Sequence, residues 1–323
     1  MKLVSTLQDN DSVVSYAQVR IKQLKTKRNG DPYLHLVLQD RSGRIEGKIW
    51  DQVENFQKII EEGDFVKYRG VVQTYKGRKQ LIVNNIRTTM ERDVQSGLDP
   101  ADLVPSTEYD VDEMWDSLRA LVVEHISRPP MRQLLDQVLD TCEEKIKSHP
   151  AGMEVHHDYR GGLLEHIVSV LHSALFFADH YPNLDKDLLI AGAILHDIGK
   201  LDELRKPDNP VHTIRGQLIG HVVMGCTLVR EEAAKIPKFP PMLLTLLEHL
   251  ILSHQGKPEW GSPQTPKFPE ALVLHYLDDL DAKINRFKKI LGEDSGDSDF
   301  TAFDRILGRA LFKGAHRELS DFD

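Results

Sequence analysis

Leu188-Leu189-Ile190-Ala191-Gly192-Ala193-Ile194-Leu195-His196-Asp197-Ile198-Gly199-Lys200 is the stretch on which the reading of the chain turns. Eight residues, apolar but for Gly192, read as a helix. They run into an imidazole, a carboxylate, a glycine and an ammonium. Neutral imidazole and carboxylate both ligate Mn²⁺, Fe²⁺ or Zn²⁺. Adjacent in sequence, they converge on one ion only at a helix end or bend, and Gly199 is expected to permit that end. Lys200 is four residues after His196. It is expected on the same side, where an ammonium can hold a phosphate oxygen.

The surrounding sequence is mostly helical in pattern. Helices are expected over 163–181, 185–195, 216–236, 241–253 and 269–291, with the pattern carrying on towards Phe322 and an acidic loop over 292–298. A further helix holds Met114, Leu118, Leu121 and Val122, capped by Ser106 or Thr107, and another follows Pro129-Pro130. Polar residues recur inside these apolar patterns. His166 precedes Ile167 and Val168. His221 follows Gly220 between Ile219 and Val222, and His249 and His254 flank a short apolar run. Asp278, Asp279 and Asp281 interrupt another, with Asp278 and Asp281 on one helix face. Buried polar groups need partners, and so many in one domain favour a metal site.

Upstream, the pattern changes to period two. Leu34, Leu36 and Leu38 alternate with His35 and Val37, and Ile45, Gly47 and Ile49 with Glu46 and Lys48. Strand runs begin at Val13 and cover 65–75 and 78–86, with a short helix over 52–61. Three strands, a helix and two strands is the order of an OB-fold, a small β-barrel whose second and third strands bind oligonucleotides. If the leucines point inward, Tyr33, His35, Lys48 and Trp50 point outward. Lys76 and Arg78 crowd a hairpin end. Aromatic rings stack on bases and basic side chains follow phosphates. The fold expected is therefore multidomain: an N-terminal OB-fold over 1–90, a polar linker over 91–110, and an all-α domain over 111–323.

Charge supports that division. Of 41 Lys and Arg and 50 Asp and Glu, residues 1–90 hold 16 and 10, which leaves a basic module ahead of an acidic one. Fourteen of the 15 histidines lie in the acidic part. A length of 323 residues suits about two domains. A hydrophobic share of 40% excludes a disordered chain. No continuous apolar run approaches the roughly 18–20 residues of a membrane span, so no membrane association is expected. The first residues carry no apolar leader, and the two cysteines, Cys142 and Cys226, form no disulfide pattern. A reducing, cytoplasmic setting is expected.

The ordered set His166, His196-Asp197 and Asp278 resembles the HD-domain metal-dependent phosphohydrolases. Lys200, with His221 and His254, resembles their two-metal branch. Adding Gly30-Asp31-Pro32-Tyr33-Leu34, Ile49-Trp50-Asp51, Gly161-Gly162-Leu163-Leu164-Glu165-His166, Leu252-Ser253-His254 and Leu277-Asp278-Asp279-Leu280-Asp281-Ala282-Lys283, nearly the whole chain resembles the YhaM-type bacterial 3′-to-5′ exoribonucleases. One departure is Gln255, where the family is expected to have a second histidine; His249 is a candidate substitute.

The resemblance implies an HD fold for the helical domain and two divalent ions, expected to be Mn²⁺. His166, His196, Asp197 and Asp278 would hold the first. Asp197 would bridge to the second, with His221 and His254. Lys200 would clamp the scissile phosphate. Single-stranded RNA or DNA, captured by the barrel, would be shortened from its 3′ end to nucleoside 5′-monophosphates. The oligomeric state is left open. Two other readings compete: a phosphohydrolase of a small nucleotide or cyclic dinucleotide, which product analysis would separate, and a non-enzymatic nucleic-acid-binding protein, which a metal assay would separate.

Overall fold

The computed structural model describes all residues except 28, 76, 154–156, 206–209, 295, 297 and 317–323. It divides into two units, Met1–Ser106 and Thr107–Asp323.

The first unit is a closed barrel of β1 (Ser12–Thr26), β2 (Pro32–Asp40), β3 (Gly43–Ile49), β4 (Phe65–Tyr75) and β5 (Arg78–Thr88), in spatial order β1-β2-β3-β5-β4. Every pairing is antiparallel except β3 with β5. Leu34 pairs with Ile49, Leu36 with Gly47 and Leu38 with Ile45. This register sends the leucines and isoleucines into the core together. It also sets His35 opposite Lys48 on the other face. Between β3 and β4, helix α1 (Val53–Ile59) adds Val53 and Phe56 to the same core. The sheet topology is the expected OB-fold.

Residues 91–106, expected as linker, instead cluster with the barrel. Helix α2 (Glu91–Gln95) holds Asp93, whose carboxylate accepts from Arg87 at 2.7 and 2.8 Å and from the Tyr16 hydroxyl at 3.1 Å. Leu98, Leu103 and Val104 are buried behind it. Polar composition hides this, because charged and polar residues make the anchoring contacts, some of them distant in the chain: Tyr16 to Asp93 and Arg41 to Asp102.

The second unit is helical: α3 (Val111–His125), α4 (Pro129–Ser148), α5 (Gly162–His180), α6 (Lys186–Leu195), α7 (Lys200–Glu203), α8 (Ile214–Ile219), α9 (His221–Ala234), α10 (Pro241–Ser253) and α11 (Pro269–Glu293). All but α8 contribute to one apolar core, in which α6 is buried from Asp187 to Leu195. α5 reaches the length and mean hydropathy of a membrane span, a feature the search for continuous apolar runs passes over. Half of that window is buried, and Leu163, Ile167, Val170 and Leu171 lie in the core.

Several local expectations change. Asp110, not Ser106 or Thr107, caps α3, its carboxylate accepting from the amides of Asp112 and Glu113. The helix expected over 216–236 breaks at Gly220, whose φ of 77° and ψ of 155° no helix contains, giving α8 and α9. A two-stranded ribbon, β6 (Leu204–Arg205) with β7 (Val211–His212), precedes them. Past α11, the described residues from 298 are turns, bridges and one 3₁₀ turn (Lys313–His316) rather than α-helix, with Phe300 paired to Phe312 and Arg286 holding Asp304.

Candidate functional site

The helical core carries a buried nest of histidines and carboxylates. α5 contributes His166, one turn inside its N-terminus. His196 is the C-cap residue of α6, and Asp197 follows in the turn leading to α7. The break at Gly220 makes His221 the first residue of α9, and His254 caps α10 at its C-terminus. Asp278 stands on the inner side of α11. The helix end expected here occurs: α6 stops at Leu195 and α7 starts at Lys200, with Gly199 between them in right-handed helical angles. Its role is close approach: a Cβ there would lie 2.0 Å from the His221 carbonyl oxygen.

Two groups result, and Asp197 belongs to both. Ligand atoms of His166, His196, Asp197 and Asp278 lie within 4.8 Å of one another, and so do those of Asp197, His221 and His254. Asp197 Oδ2 lies 3.6 Å from Nε2 of both His166 and His196. Its Oδ1 lies 3.6 Å from Nε2 of both His221 and His254. These separations exceed a good hydrogen bond. Two ligand atoms held roughly 2.0–2.2 Å from a shared ion lie about 3–3.5 Å apart, close to what is seen. Asp197 Oδ1 is buried with no hydrogen-bond partner, an expensive arrangement unless something else sits there. Imidazole nitrogens and carboxylate oxygens are the donors a borderline divalent ion takes. The residues fit a divalent metal centre.

Each imidazole is fixed from behind. Nδ1 of His196 donates to the Ala193 carbonyl at 3.0 Å, and Nδ1 of His254 to that of Ile251 at 2.7 Å. His166 Nδ1 donates to Asp281 Oδ2 at 2.7 Å, and His221 Nδ1 to Glu203 Oε1 at 3.2 Å. Carbonyls and ionised carboxylates only accept, so each Nδ1 carries hydrogen. In three of the four rings this leaves the Nε2 lone pair facing the nest, the arrangement that backing groups impose on ligating histidines. His166 differs in the metal-free nest, because its Nε2 faces that of His196 at 3.1 Å. Burial disfavours its charge, but Asp278 and Asp281 outweigh that and hold it up to about 9. Burial pushes His254 down to about 4 and lowers His196. Burial alone would raise the Asp197 carboxyl; the Lys200 ammonium and the imidazoles hold it well below the usual range.

Lys200 Nζ lies 2.5 Å from Asp197 Oδ2, the oxygen that His196 also faces at 3.6 Å. Gln255 reaches the second group, its Nε2 donating to His221 Nε2 at 3.2 Å. His249 does not: its Nε2 accepts from the Lys267 amide and its ring packs on Phe268. It is no substitute ligand in this geometry.

Three residues that support the nest escape sequence reasoning. Glu203 backs His221. Asp281, noticed only as a face-mate of Asp278, holds His166, accepts from the Ser169 hydroxyl and meets His157 Nε2 at 3.0 Å. His157 has a positive φ of 42°, a rare conformation stabilised by Asn285, Tyr159 and Asp281 around it. His157 and His166 both lie within ligand distance of Asp281, a third grouping.

On the barrel, Tyr33 and Trp50 meet with ring centroids 4.7 Å apart. Lys48 Nζ lies 5.9 Å from the Trp50 ring and 5.5 Å from that of Tyr75, and Lys27 lies 5.4 Å from Trp50. Arg78 pairs with Tyr75 at the β4–β5 hairpin end, and His35 sits opposite Lys48. Burial first, then Lys25 and Lys48, lower the His35 pKa. Beside Trp50 lies an open cleft of about 690 Å³ lined also by Lys27, Pro32 and Lys58. Lys76 lies outside the described residues.

Residues 163–283 match the HD domain family, and 17–89 match the OB-fold nucleic acid binding domain. A protein of Bacillus pumilus described as 3′-5′ exoribonuclease YhaM is 38% identical over 263 residues, covering 81% of this chain and 82% of its own length. Its counterpart of the same description in Bacillus subtilis is 37% identical over 281 residues, covering 87% and 88%. The chain belongs to the YhaM family. At 263 and 281 residues, each match is longer than either unit and so runs into both. Among solved structures, the second OB-fold domain of replication protein A from Methanococcus maripaludis is 24% identical, covers 28% of this chain and 95% of that one, and has a TM-score of 0.23, too low to carry weight.

Proposed function

We propose that this YhaM-family chain is a 3′-to-5′ exoribonuclease that hydrolyses single-stranded RNA to nucleoside 5′-monophosphates, using two Mn²⁺ ions, in the cytoplasm. The observation that carries the reading is Asp197, which offers one oxygen to His166 and His196 and the other to His221 and His254. His166, His196, Asp197 and Asp278 would hold one ion, and Asp197, His221 and His254 the other. When bound, such a pair supplies an activated water and offsets charge on the attacking and leaving oxygens.

The protein's own groups set the stage for that chemistry. The backing hydrogen bonds from Ala193, Ile251, Asp281 and Glu203 fix the four imidazoles without further reorganisation. The ligand side chains themselves are shielded from bulk solvent, since His166 and His196 are fully buried and Asp197 and His254 nearly so. Lys200 neutralises part of the carboxylate charge and is the cation assigned to the scissile phosphate. The barrel's Tyr33, Trp50 and Lys48 would capture the strand by stacking and by phosphate contact. Tethering that module to the hydrolase raises the local concentration of RNA.

The test is incubation of the whole protein with a 5′-labelled single-stranded RNA and Mn²⁺, followed by sizing of the products. A ladder shortening from the 3′ end, with 5′-monophosphates released, supports the reading. Internal cuts, or immediate loss of the labelled end, overturn it. His196→Ala and Asp197→Ala are expected to lower hydrolysis on the order of a thousandfold or more while RNA binding persists.

A further inference from the structure

The chain has three tryptophans, Trp50, Trp115 and Trp260. Trp50 serves the barrel face and Trp115 is buried in the helical core. Trp260 is 48% exposed and ends a short turn, Pro258–Trp260, in the segment after α10. Lys257 Nζ stands 4.6 Å and Lys283 Nζ 5.7 Å from the centre of its ring. The ring also lies 6.0 Å from that of His275, which packs on the exposed Tyr276 at 5.0 Å.

This surface is tied to the second ligand group by two routes. His275 Nδ1 donates to the His254 carbonyl at 2.8 Å. Gln255, two residues before Lys257, reaches His221. An indole with two ammonium groups over it, attached to the residues that carry the ligands, has the chemistry of a nucleotide: a flat ring for the base and cations for the phosphates on either side.

We propose that Trp260 is a stacking platform for the nucleobase of the nucleotide being removed, with Lys257 and Lys283 turning to its phosphates. This rests on the exoribonuclease reading and adds a base-binding subsite in the helical unit. The lysines now over the ring do not block it. A cation over an exposed ring is worth about two- to fivefold in affinity. A stacked base is worth on the order of tenfold to a hundredfold. The base wins the face, and Lys257 then finds a better partner in the phosphate; Lys283, also paired with Asp279 at 2.5 Å, exchanges that carboxylate for the phosphate. Stacking is indifferent to base identity, as removal of successive nucleotides of any sequence requires.

The test uses the whole protein with Mn²⁺ and a labelled RNA of five nucleotides. Trp260→Ala is expected to raise KM about tenfold or more while kcat falls less than about threefold, and Trp260→Phe, which keeps a stacking ring, to stay within about threefold of the parent KM. A second measurement needs no metal. Adenosine 5′-monophosphate added to the EDTA-treated protein should quench tryptophan fluorescence in Trp50→Phe, where the barrel ring cannot contribute, but not in the double variant Trp50→Phe/Trp260→Phe. An unchanged KM in Trp260→Ala, or quenching that persists undiminished in the double variant, overturns the platform. If the parent protein fails to shorten RNA from its 3′ end, the exoribonuclease reading falls instead, and the quenching experiment still decides whether Trp260 binds a nucleotide.

Discussion

Nε2 of His166 and Nε2 of His196 lie 3.1 Å apart, a separation that either a shared cation or, without one, a single proton can bridge. His196 gives its Nδ1 hydrogen to a carbonyl, so its Nε2 is the acceptor. His166 is therefore the donor and is protonated on both nitrogens, in keeping with its pKa held up to about 9. That proton occupies the place where the first cation would bind, and a protonated nitrogen cannot ligate. Loading the metal-free protein at about pH 7.5 is expected to release about one proton from this ring. Apparent affinity should weaken by up to about tenfold per unit as pH falls below 9. Calorimetry in two buffers of different ionisation enthalpy counts the proton directly. The same linkage acts on folding. The folded pKa lies above the unfolded 6.5, so the stabilisation is fully present below about 6.5 and is lost as pH rises through 9. Denaturant melts of EDTA-treated protein should show that loss, and melts of the Mn²⁺-loaded protein should not.

Asp281 is not a member of the first four-residue group, yet His166 depends on it for orientation. Burial opposes ionisation of Asp281; hydrogen bonds from His157 and His166 outweigh it and keep the carboxyl far below its usual range. Asp281→Ala is expected to cost about 10- to 100-fold in metal affinity or activity, as removal of such backing carboxylates does elsewhere. His157→Ala should cost less, because Asp281 keeps its bonds to His166 and Ser169. Mn²⁺ titration followed by electron paramagnetic resonance gives the affinities. Equal losses in both variants would show that His157 acts by some other route than steadying Asp281.

The sequence announces His196, Asp197, His166 and Asp278 because each interrupts an apolar helix, where an unpartnered polar group is costly. The barrel is equally open to reading, since Leu34, Leu36 and Leu38 keep strict alternation. His157 and Glu203 lack such a signal. They lie in polar surroundings, outside any period, and their importance comes from contacts to Asp281 and His221 made through the fold. Gly220 sits inside an apolar run that looks like one helix, and only its positive φ reveals the break. The segment around Asp93 looks like a linker because it is polar; its anchors are ion pairs and hydrogen bonds, to nearby Arg87 and distant Tyr16, that leave no apolar period.

On the barrel, Tyr33, Trp50 and Lys48 form one contiguous aromatic and basic face. Lys48→Ala combined with Trp50→Ala removes a stacking ring and a phosphate contact. RNA capture is expected to weaken about tenfold to a hundredfold. The dependence of log affinity on log salt should flatten by about 0.7 for the lost phosphate contact. Cleavage of a dinucleotide, too short to need capture, should change little. Filter binding across a salt series, beside dinucleotide kinetics, checks both. Equal damage to the two substrates would mean that this face is not the capture surface.

Gly199 is where α9 comes closest to the turn that holds Asp197. A Cβ at 199 would meet not only the His221 carbonyl but also the Gly225 amide nitrogen, at 2.6 Å. Both obstacles are backbone of one helix, so no side chain can rotate away and α9 must shift bodily. That shift carries His221 away from Asp197 Oδ1, while His166, His196 and Asp278 belong to other elements and stay. Gly199→Ala is therefore expected to lose about 1–3 kcal/mol of stability, as overpacked sites do. It should also lose the second Mn²⁺ selectively, so that calorimetric stoichiometry falls from two towards one. A variant that folds less stably yet still binds both ions with parental affinity would show that α9 can move without opening the second group.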